Sequence, residues 1–468
     1  MTHQVVPEDG LSRALDRVCA TRPVPGNAVR QLVDGPEALS RMLHIVAHAQ
    51  QVIHFENYIF RSDETGQRFA AALIAAAARG VSVRVLYDHF GSFGTKRGFW
   101  RRLRDAGVEV RAFNVLNPLH PIAALRRNHR KYVAADGTVA VVGGVCIGDA
   151  WAGDLARDIP PWRDTAVDVS GPVVARMDVT FQRAWRHAGG TAPSYTIPAR
   201  VNEAGPALVR VIEGLPGRYR LLRAVELLLA SAADRVWITD AYLVPATSLL
   251  QTIISTARAA VDVRILVPGR TDLLAVRALT RVGYRELLEN GVRIFEWHGP
   301  MLHAKTVLVD DVWYKVGSSN LNPSSLANNY ELDALIQDRD VAMQAAQQFR
   351  RDLSTATEIV LRPLRIPRRL AAQIPPLVHA PHRPAEITVP VRAPGERRQR
   401  MVVALRQVVS GTRRSIAGVL LFTAAGTGAL FLALPRFMGY LVATTCFVLG
   451  ARAAWFFLQR RRGARAQR

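Results

Sequence analysis

The chain is short of cysteine, of lysine and, in its last quarter, of acid. Three cysteines occur in 468 residues, Cys19, Cys146 and Cys446. Their scattered positions give neither a disulfide framework nor metal-ligand spacing. A reducing, cytosol-facing compartment and chemistry without metal or other cofactor are the expectation. The opening residues, MTHQVVPEDG, have no apolar run behind a basic start, so no signal peptide is expected. From Leu361 onward there are 19 arginines, no lysine and two acids, Glu386 and Glu396, a balance of +17. The first 360 residues carry 42 basic and 36 acidic groups, so the net charge of +23 belongs mostly to the tail. A near-neutral body argues against a nucleic-acid channel, and no nucleic-acid partner is expected. An arginine-rich tail suits anionic lipid headgroups.

The scarcity of lysine singles out two stretches. Of 61 basic residues only Lys96, Lys131, Lys305 and Lys315 are lysines, and two of these stand two residues after a histidine. Leu302 to Asn322, LHAKTVLVDDVWYKVGSSNLN, carries His303, Lys305 and Asp310 as H-x-K-x4-D. Asn128 to Ile147, NHRKYVAADGTVAVVGGVCI, repeats the pattern with His129, Lys131 and Asp136. Each reads as a strand, a turn at the aspartate, a second strand and a loop of small or polar residues. Residues two apart on a strand share a face, so each imidazole and ammonium can meet one phosphate together. A single copy would be as well explained by two ordinary hydrophobic strands. Two copies in matching context weigh against that explanation.

The surrounding chain repeats as well. VRQLVDG, a helical stretch from Pro36 to Gln50, VIHFENYIF, RFAAALIAAAARG, VSVRVLYDHFG, FWRRLRDAG and VEVRAFN lead to the first motif. ALVRVIEG, a helix from Arg220 to Ala233, VWITDAYLV, LLQTIISTARAA, VDVRILVPG, YRELLENG and VRIFEW lead to the second. Gly80, Gly107 and Gly291 read as helix ends. Strands alternating with helices predict α/β layers. A duplication that includes the reactive residues predicts two similar domains around a pseudo-two-fold axis, each bringing one His and one Lys to a shared cleft.

The duplicated motif, followed by Gly143-Gly144 in one copy and Ser318-Ser319-Asn320 in the other, resembles the phospholipase D superfamily, and bacterial cardiolipin synthases in particular, over roughly residues 27 to 350. The resemblance implies two tandem phospholipase D-like α/β sandwich domains related by pseudo-two-fold symmetry. It implies catalytic His129, Lys131, Asp136, His303, Lys305 and Asp310. Asp136 and Asp310 also suit a structural role at the turn and domain contact. Asp164 in WRDTAVDVSG and Glu331 in NNYELDALI stand where family acids orient the histidines, and Asn320 and Ser318 stand where further phosphate contacts would be. The chemistry needs a nucleophile, an acid for the leaving oxygen and positive charge on the non-bridging oxygens. In the family the first-motif histidine is more often the nucleophile; the near-equivalent motifs leave the assignment open. Cys146 departs from the family's usual asparagine and removes a donor. Asn322-Pro323-Ser324-Ser325 replaces the frequent Asp-Pro-Arg-Ser and resembles the short cardiolipin synthase subgroup without an N-terminal membrane hairpin.

After a Pro- and Arg-rich linker come two apolar stretches, Ile416 to Leu434 and Phe437 to Leu458, each close to the roughly 20 residues that cross a bilayer. Arg413, Arg414 and Arg460 to Arg462 flank them, so both ends are expected on the cytoplasmic side. The expected domains are an N-terminal segment at 1–26, phospholipase D-like domains at 27–200 and 201–360, a linker at 361–412 and a transmembrane hairpin with a basic tail at 413–468. The stretches Phe90 to Trp100 and Val115 to Leu125 are candidates for a lipid-facing rim, with ordinary loop packing the equal alternative. The expected activity is a transphosphatidylase of the bacterial inner membrane, facing the cytoplasm, that joins two phosphatidylglycerol molecules and releases glycerol. A hydrolytic phospholipase D, a nuclease of the same superfamily and a non-catalytic membrane scaffold are the alternatives, in that order.

Overall fold

Apolar runs of five to ten residues alternate with amphipathic helices through the body, and the two periods build layers of helix on sheet. The computed structural model describes residues 8–115, 126–191 and 201–361. The linker and hairpin expected after Leu361 lie outside the described residues, as do positions 116–125 of one rim candidate. Among the described residues no helix is long and apolar enough to cross a membrane.

The first repeat runs α1 (Glu8–Cys19), β1 (Val24–Val33), α2 (Asp34–His48), β2 (Val52–Asn57), α3 (Glu64–Ala78), β3 (Ser82–Asp88), α4 (Arg97–Asp105), β4 (Glu109–Phe113), β5 (Lys131–Ala135), β6 (Val139–Gly143), α5 (Asp149–Ala152), β7 (Thr165–Ser170) and α6 (Val173–His187). The second runs β8 (Ala207–Gly214), α7 (Arg220–Ala230), β9 (Arg235–Asp240), α8 (Thr247–Arg258), β10 (Asp262–Pro268), α9 (Leu274–Val282), α10 (Tyr284–Glu289), β11 (Arg293–Trp297), β12 (Lys305–Val309), β13 (Trp313–Gly317), β14 (Glu331–Gln337), α11 (Arg339–Ser354) and β15 (Ala356–Ile359). Gly80, Gly107 and Gly291 follow their helices at φ of +88°, +86° and +85°, the left-handed stop that favours glycine.

The strands form one 15-stranded sheet whose centre is the antiparallel pair β1–β8. Outward from that seam the order is β1-β7-β6-β5-β2-β3-β4 on one side and β8-β14-β13-β12-β9-β10-β11 on the other, with β15 added at the second edge. The identical order is the pseudo-two-fold relation expected from the repeat. Three parallel strands lie at each outer end, and antiparallel strands carry the motifs near the centre.

One hydrophobic core spans the seam under α6 and α11, with Phe181, Trp185, Val209, Val316 and Phe349. Two further cores lie under the outer helices of each repeat. The sequence reading assigned no element to the N-terminal segment, yet α1 is part of the second repeat's core. Leu11, Leu15 and Cys19, four residues apart, are buried beside α7, and Arg210 reaches back to Asp16 at 2.6 Å. A buried leucine contributes about 1.5–3 kcal/mol, so two of them fix a short helix firmly.

Candidate active site

Asp136 and Asp310 begin the construction. Both take left-handed φ, +55° and +53°. Asp136 accepts backbone N–H groups of Gln50, Gln51 and Val52 at 2.8–2.9 Å. Asp310 accepts those of Ala233, Asp234 and Arg235 at 2.7–2.9 Å. Each carboxylate thus locks the motif hairpin to the start of β2 or β9. Five strand residues, about 16 Å, separate each from its motif lysine's end of the strand. Their position is that of turn anchors, while the imidazoles stand at the opposite end.

At that end the two repeats interlock through their backbones. His129 N–H donates to Tyr330 O at 2.9 Å, and His303 N–H donates to Arg163 O at 2.7 Å. Tyr330 precedes Glu331 and Arg163 precedes Asp164, so each crossing contact places one repeat's carboxylate against the other repeat's histidine. His303 Nδ1 meets Asp164 Oδ2 at 2.7 Å. His129 Nδ1 meets Glu331 Oε2 at 3.1 Å and Ser318 O at 3.0 Å. Both carboxylates are fully buried. Trp151 Nε1–H donates to Asp164 at 3.0 Å, while Ser318 Oγ–H donates to Glu331 at 2.5 Å and Ser325 Oγ–H also donates to it. Gly144 is needed here, because a Cβ on it would stand 2.1 Å from Asp164 Oδ1.

The electrostatics give both rings one state at neutral pH. Burial lowers the pKa of His129, against the pull of Glu331. Burial and the neighbouring Lys305 bring His303 to about 4, against Asp164. Burial alone would raise Asp164 and Glu331, but His303 beside one and His129 beside the other, with their hydrogen bonds and the motif lysines, bring both below the ordinary carboxylate range. The result is two neutral imidazoles, each donating Nδ1–H to an ionised carboxylate and keeping the Nε2 lone pair. Lys131 and Lys305 are buried, which lowers both, Lys305 to about 8. Each Nζ bonds the carbonyl of its own motif histidine and stands over a tyrosine, Lys131 5.0 Å from the Tyr58 ring and Lys305 5.9 Å from that of Tyr242.

The histidines open on one cleft of about 680 Å³. Its polar residues include Asn320, Asn322, Ser325 and Arg127; its walls include Tyr58, Trp151, Trp162, Tyr242 and Val276. Asn320 is nearly buried, and its side-chain oxygen has no hydrogen-bond partner among the described residues. Ser318 serves Glu331 and so orients His129 indirectly. Of the expected rim, Phe90 lines the cleft and is 56% exposed and Phe93 is 75% exposed, but Phe99 and Trp100 turn into the core. The equivalent connection after β10 supplies an unexpected counterpart, Leu273, 47% exposed at the cleft edge. No group of three or more His, Cys, Asp or Glu side chains among the described residues is placed to hold a metal ion.

Several residues of the site escaped the sequence reading. Asp240 lies opposite Lys305 in the β9–β12 register and accepts N–H groups of Tyr242 and Leu321; burial raises it to about 6. A lone acid ending the apolar run VWIT was its signal. Lys315, one of the four lysines, forms a buried pair with Asp333 at 2.9 Å, joined by Ser319. Nothing local announces that pair, because β13 and β14 must first be aligned.

Comparison with known proteins places the chain in a family. A family model described as cardiolipin synthase, PLD-like domain, matches residues 42–159 and 226–353, one match in each repeat. Cardiolipin synthase A of Pseudomonas fluorescens is 33% identical over 350 residues, covering 74% of this chain and 73% of that protein. A cardiolipin synthase of a Geobacillus species is 34% identical over 336 residues, covering 70% and 67%. Among solved structures, the phosphatidylserine synthase of Haemophilus influenzae superposes with a TM-score of 0.58 at 14% identity, covering 75% of this chain and 92% of that one, a likeness of fold. With a duplicated His-Lys motif, crossed carboxylates and a family match in both repeats, the chain belongs to the cardiolipin synthase family of phospholipase D-like proteins.

Proposed function

We propose that the chain is a membrane-bound transphosphatidylase that makes cardiolipin from two molecules of phosphatidylglycerol and releases glycerol. The observation that carries this reading is the pair of imidazoles, one from each repeat, that open on a single cleft, each held at Nδ1 by a buried carboxylate of the other repeat and each followed two residues on by a buried lysine. His129 Nε2 attacks the phosphorus of the first phosphatidylglycerol. The P–O bond to glycerol breaks, and protonated His303 gives its proton to the leaving oxygen. His303 gains that proton on substrate binding, since the entering phosphodiester offsets Lys305, a cause of its lowered pKa. The undivided 2.7 Å contact with Asp164 then steadies the imidazolium. Lys131, Lys305 and Asn320 hold the non-bridging oxygens. In the second half-reaction His303 takes the proton of a hydroxyl on the second phosphatidylglycerol, whose oxygen attacks phosphorus as the N–P bond breaks. His129 then regains its starting state.

A lipid substrate is supported by the aromatic cleft walls and by Phe90, Phe93 and Leu273 at the mouth. Membrane attachment through a hairpin at 413–468, at a bacterial inner membrane and facing the cytoplasm, is supported by the two apolar stretches and their arginine flanks. Domain limits at 27–200 and 201–360 are supported by the β1–β8 seam. Aromatic walls that exclude water favour transfer over hydrolysis.

Purified full-length protein with labelled phosphatidylglycerol in mixed micelles tests the proposal. Cardiolipin with an equal amount of free glycerol is expected. Phosphatidic acid as the only lipid product would replace it with a hydrolytic phospholipase D.

A further inference from the structure

We propose that a second concavity, sharing no residue with the histidine cleft, binds an anionic phosphate group. It encloses about 640 Å³, a ligand-sized volume, at the seam of the two repeats. Arg22 comes from the α1–β1 connection, Arg176 and Arg183 from α6, and Arg220 from the start of α7. Three separate elements thus bring four guanidinium groups to one hollow. Among the described residues Arg22, Arg176 and Arg220 have no carboxylate partner, while Arg183 meets Glu213 at 2.7 Å. Three of the four thus lack a paired counter-charge, and a ligand with two or more negative oxygens relieves their mutual repulsion. The guanidinium fork binds phosphate oxygens in pairs, so a phosphoester is the matching chemistry. Pro23 and Val179 between the arginines suit the apolar part of such a ligand.

The hollow has a rigid base. Glu213 is 2% exposed and also holds fully buried Arg130 at 2.8 Å. Arg130, between His129 and Lys131 in the chain, turns away from the cleft to reach Glu213, and its Nε–H donates to Glu331 O at 3.2 Å. The base of the arginine hollow is therefore tied to the strands that carry the catalytic residues. A phosphate group in this position comes either from a lipid headgroup or from a soluble phosphoester.

The test uses the full chain in neutral detergent micelles with a photoreactive phosphatidic acid, followed by peptide mapping. Wild type, His129→Ala and the triple variant Arg22→Gln/Arg176→Gln/Arg220→Gln are compared. Label is expected in the peptides holding residues 20–25 and 173–187 of wild type and of His129→Ala. The second of these keeps the result independent of the chemistry proposed for the cleft. The triple variant should lose this label by about tenfold while keeping label in the cleft peptides. In wild type, competition by excess glycerol 1-phosphate identifies a soluble phosphoester as sufficient. Competition by unlabelled phosphatidic acid alone identifies the lipid. Competition by neither, no label in these peptides of wild type, or label that survives the triple substitution would overturn the proposal.

Discussion

The two repeats share a backbone but line the strands beside their motifs differently. The second repeat has Lys315, Asp333 and Ser319, a closed polar network at 2.8–3.1 Å, with Asp240 opposite Lys305. The strand registers place Val141, Ala166 and Val145 at the matching positions of the first repeat, all fully buried, and Asn57 opposite Lys131. At the cleft surface Cys146 stands where the second repeat has Asn320, and burial raises its thiol pKa, which leaves it neutral and a poor donor. What both repeats keep is the histidine, the lysine two residues on, the turn aspartate and a buried carboxylate for the other repeat. The histidine and the carboxylate it receives meet at the cleft and the turn aspartate holds their hairpin in place, whereas the supporting layer is free to be salt or hydrocarbon, provided that each is complete.

The largest effect should come from breaking what the repeats share. Asp164→Asn and Glu331→Gln each remove the charge that fixes an Nδ1–H tautomer, and each should lower kcat by about 10²- to 10⁴-fold, as such orienting carboxylates do elsewhere. If the phosphohistidine forms on His129, rapid-quench trapping of labelled enzyme should show little intermediate in Glu331→Gln. In Asp164→Asn it should form slowly and persist, because breakdown needs His303 as base. Equal behaviour of the two variants would sink the division of roles.

Next comes the supporting layer. Asp333→Ala leaves Lys315 buried and unpaired and should cost about 3–5 kcal/mol, read as a fall in the thermal midpoint. Lys315→Val/Ser319→Val/Asp333→Ala copies the first repeat's residues and should recover most of that loss. A triple variant no more stable than the single one would show that the polar network is not interchangeable with the apolar one.

The third prediction concerns pH. With Lys305 at about 8, kcat/KM should fall above pH 8 as the ammonium loses its proton. Asp240 stabilises that ammonium, so Asp240→Asn, which copies Asn57, should move the alkaline limb to lower pH. A limb that stays in place would mean another group titrates there.

Much of this was legible in the chain itself. The rarity of lysine marked the motifs, and the matched order of strands and helices marked the repeat, because hydrophobic period and glycine stops are local properties. The crossing was not legible. Asp164 follows its own motif in sequence, and only the backbone contacts of Arg163 and Tyr330 send each carboxylate to the opposite histidine. Helix α1 could have been found from Leu11, Leu15 and Cys19, an apolar stripe at helical spacing. Asp333 could not, since its partner Lys315 lies on a neighbouring strand whose register is a tertiary fact.

The smallest effect tests one local rule. Where the first repeat ends its helix at Gly80, the second has Ala260 with φ of +66°. Ala260→Gly should raise stability by about 1 kcal/mol, visible as a higher thermal midpoint with activity unchanged.

The crossed carboxylates have a consequence for dividing the chain. A single repeat, expressed alone, would hold a histidine without its acid and an acid without its histidine. Its half of the cleft would be whole only against the other repeat. Cutting the chain between β7 and β8 therefore separates every histidine from its carboxylate at once, whereas the salt-lined and hydrocarbon-lined layers stay each within its own half.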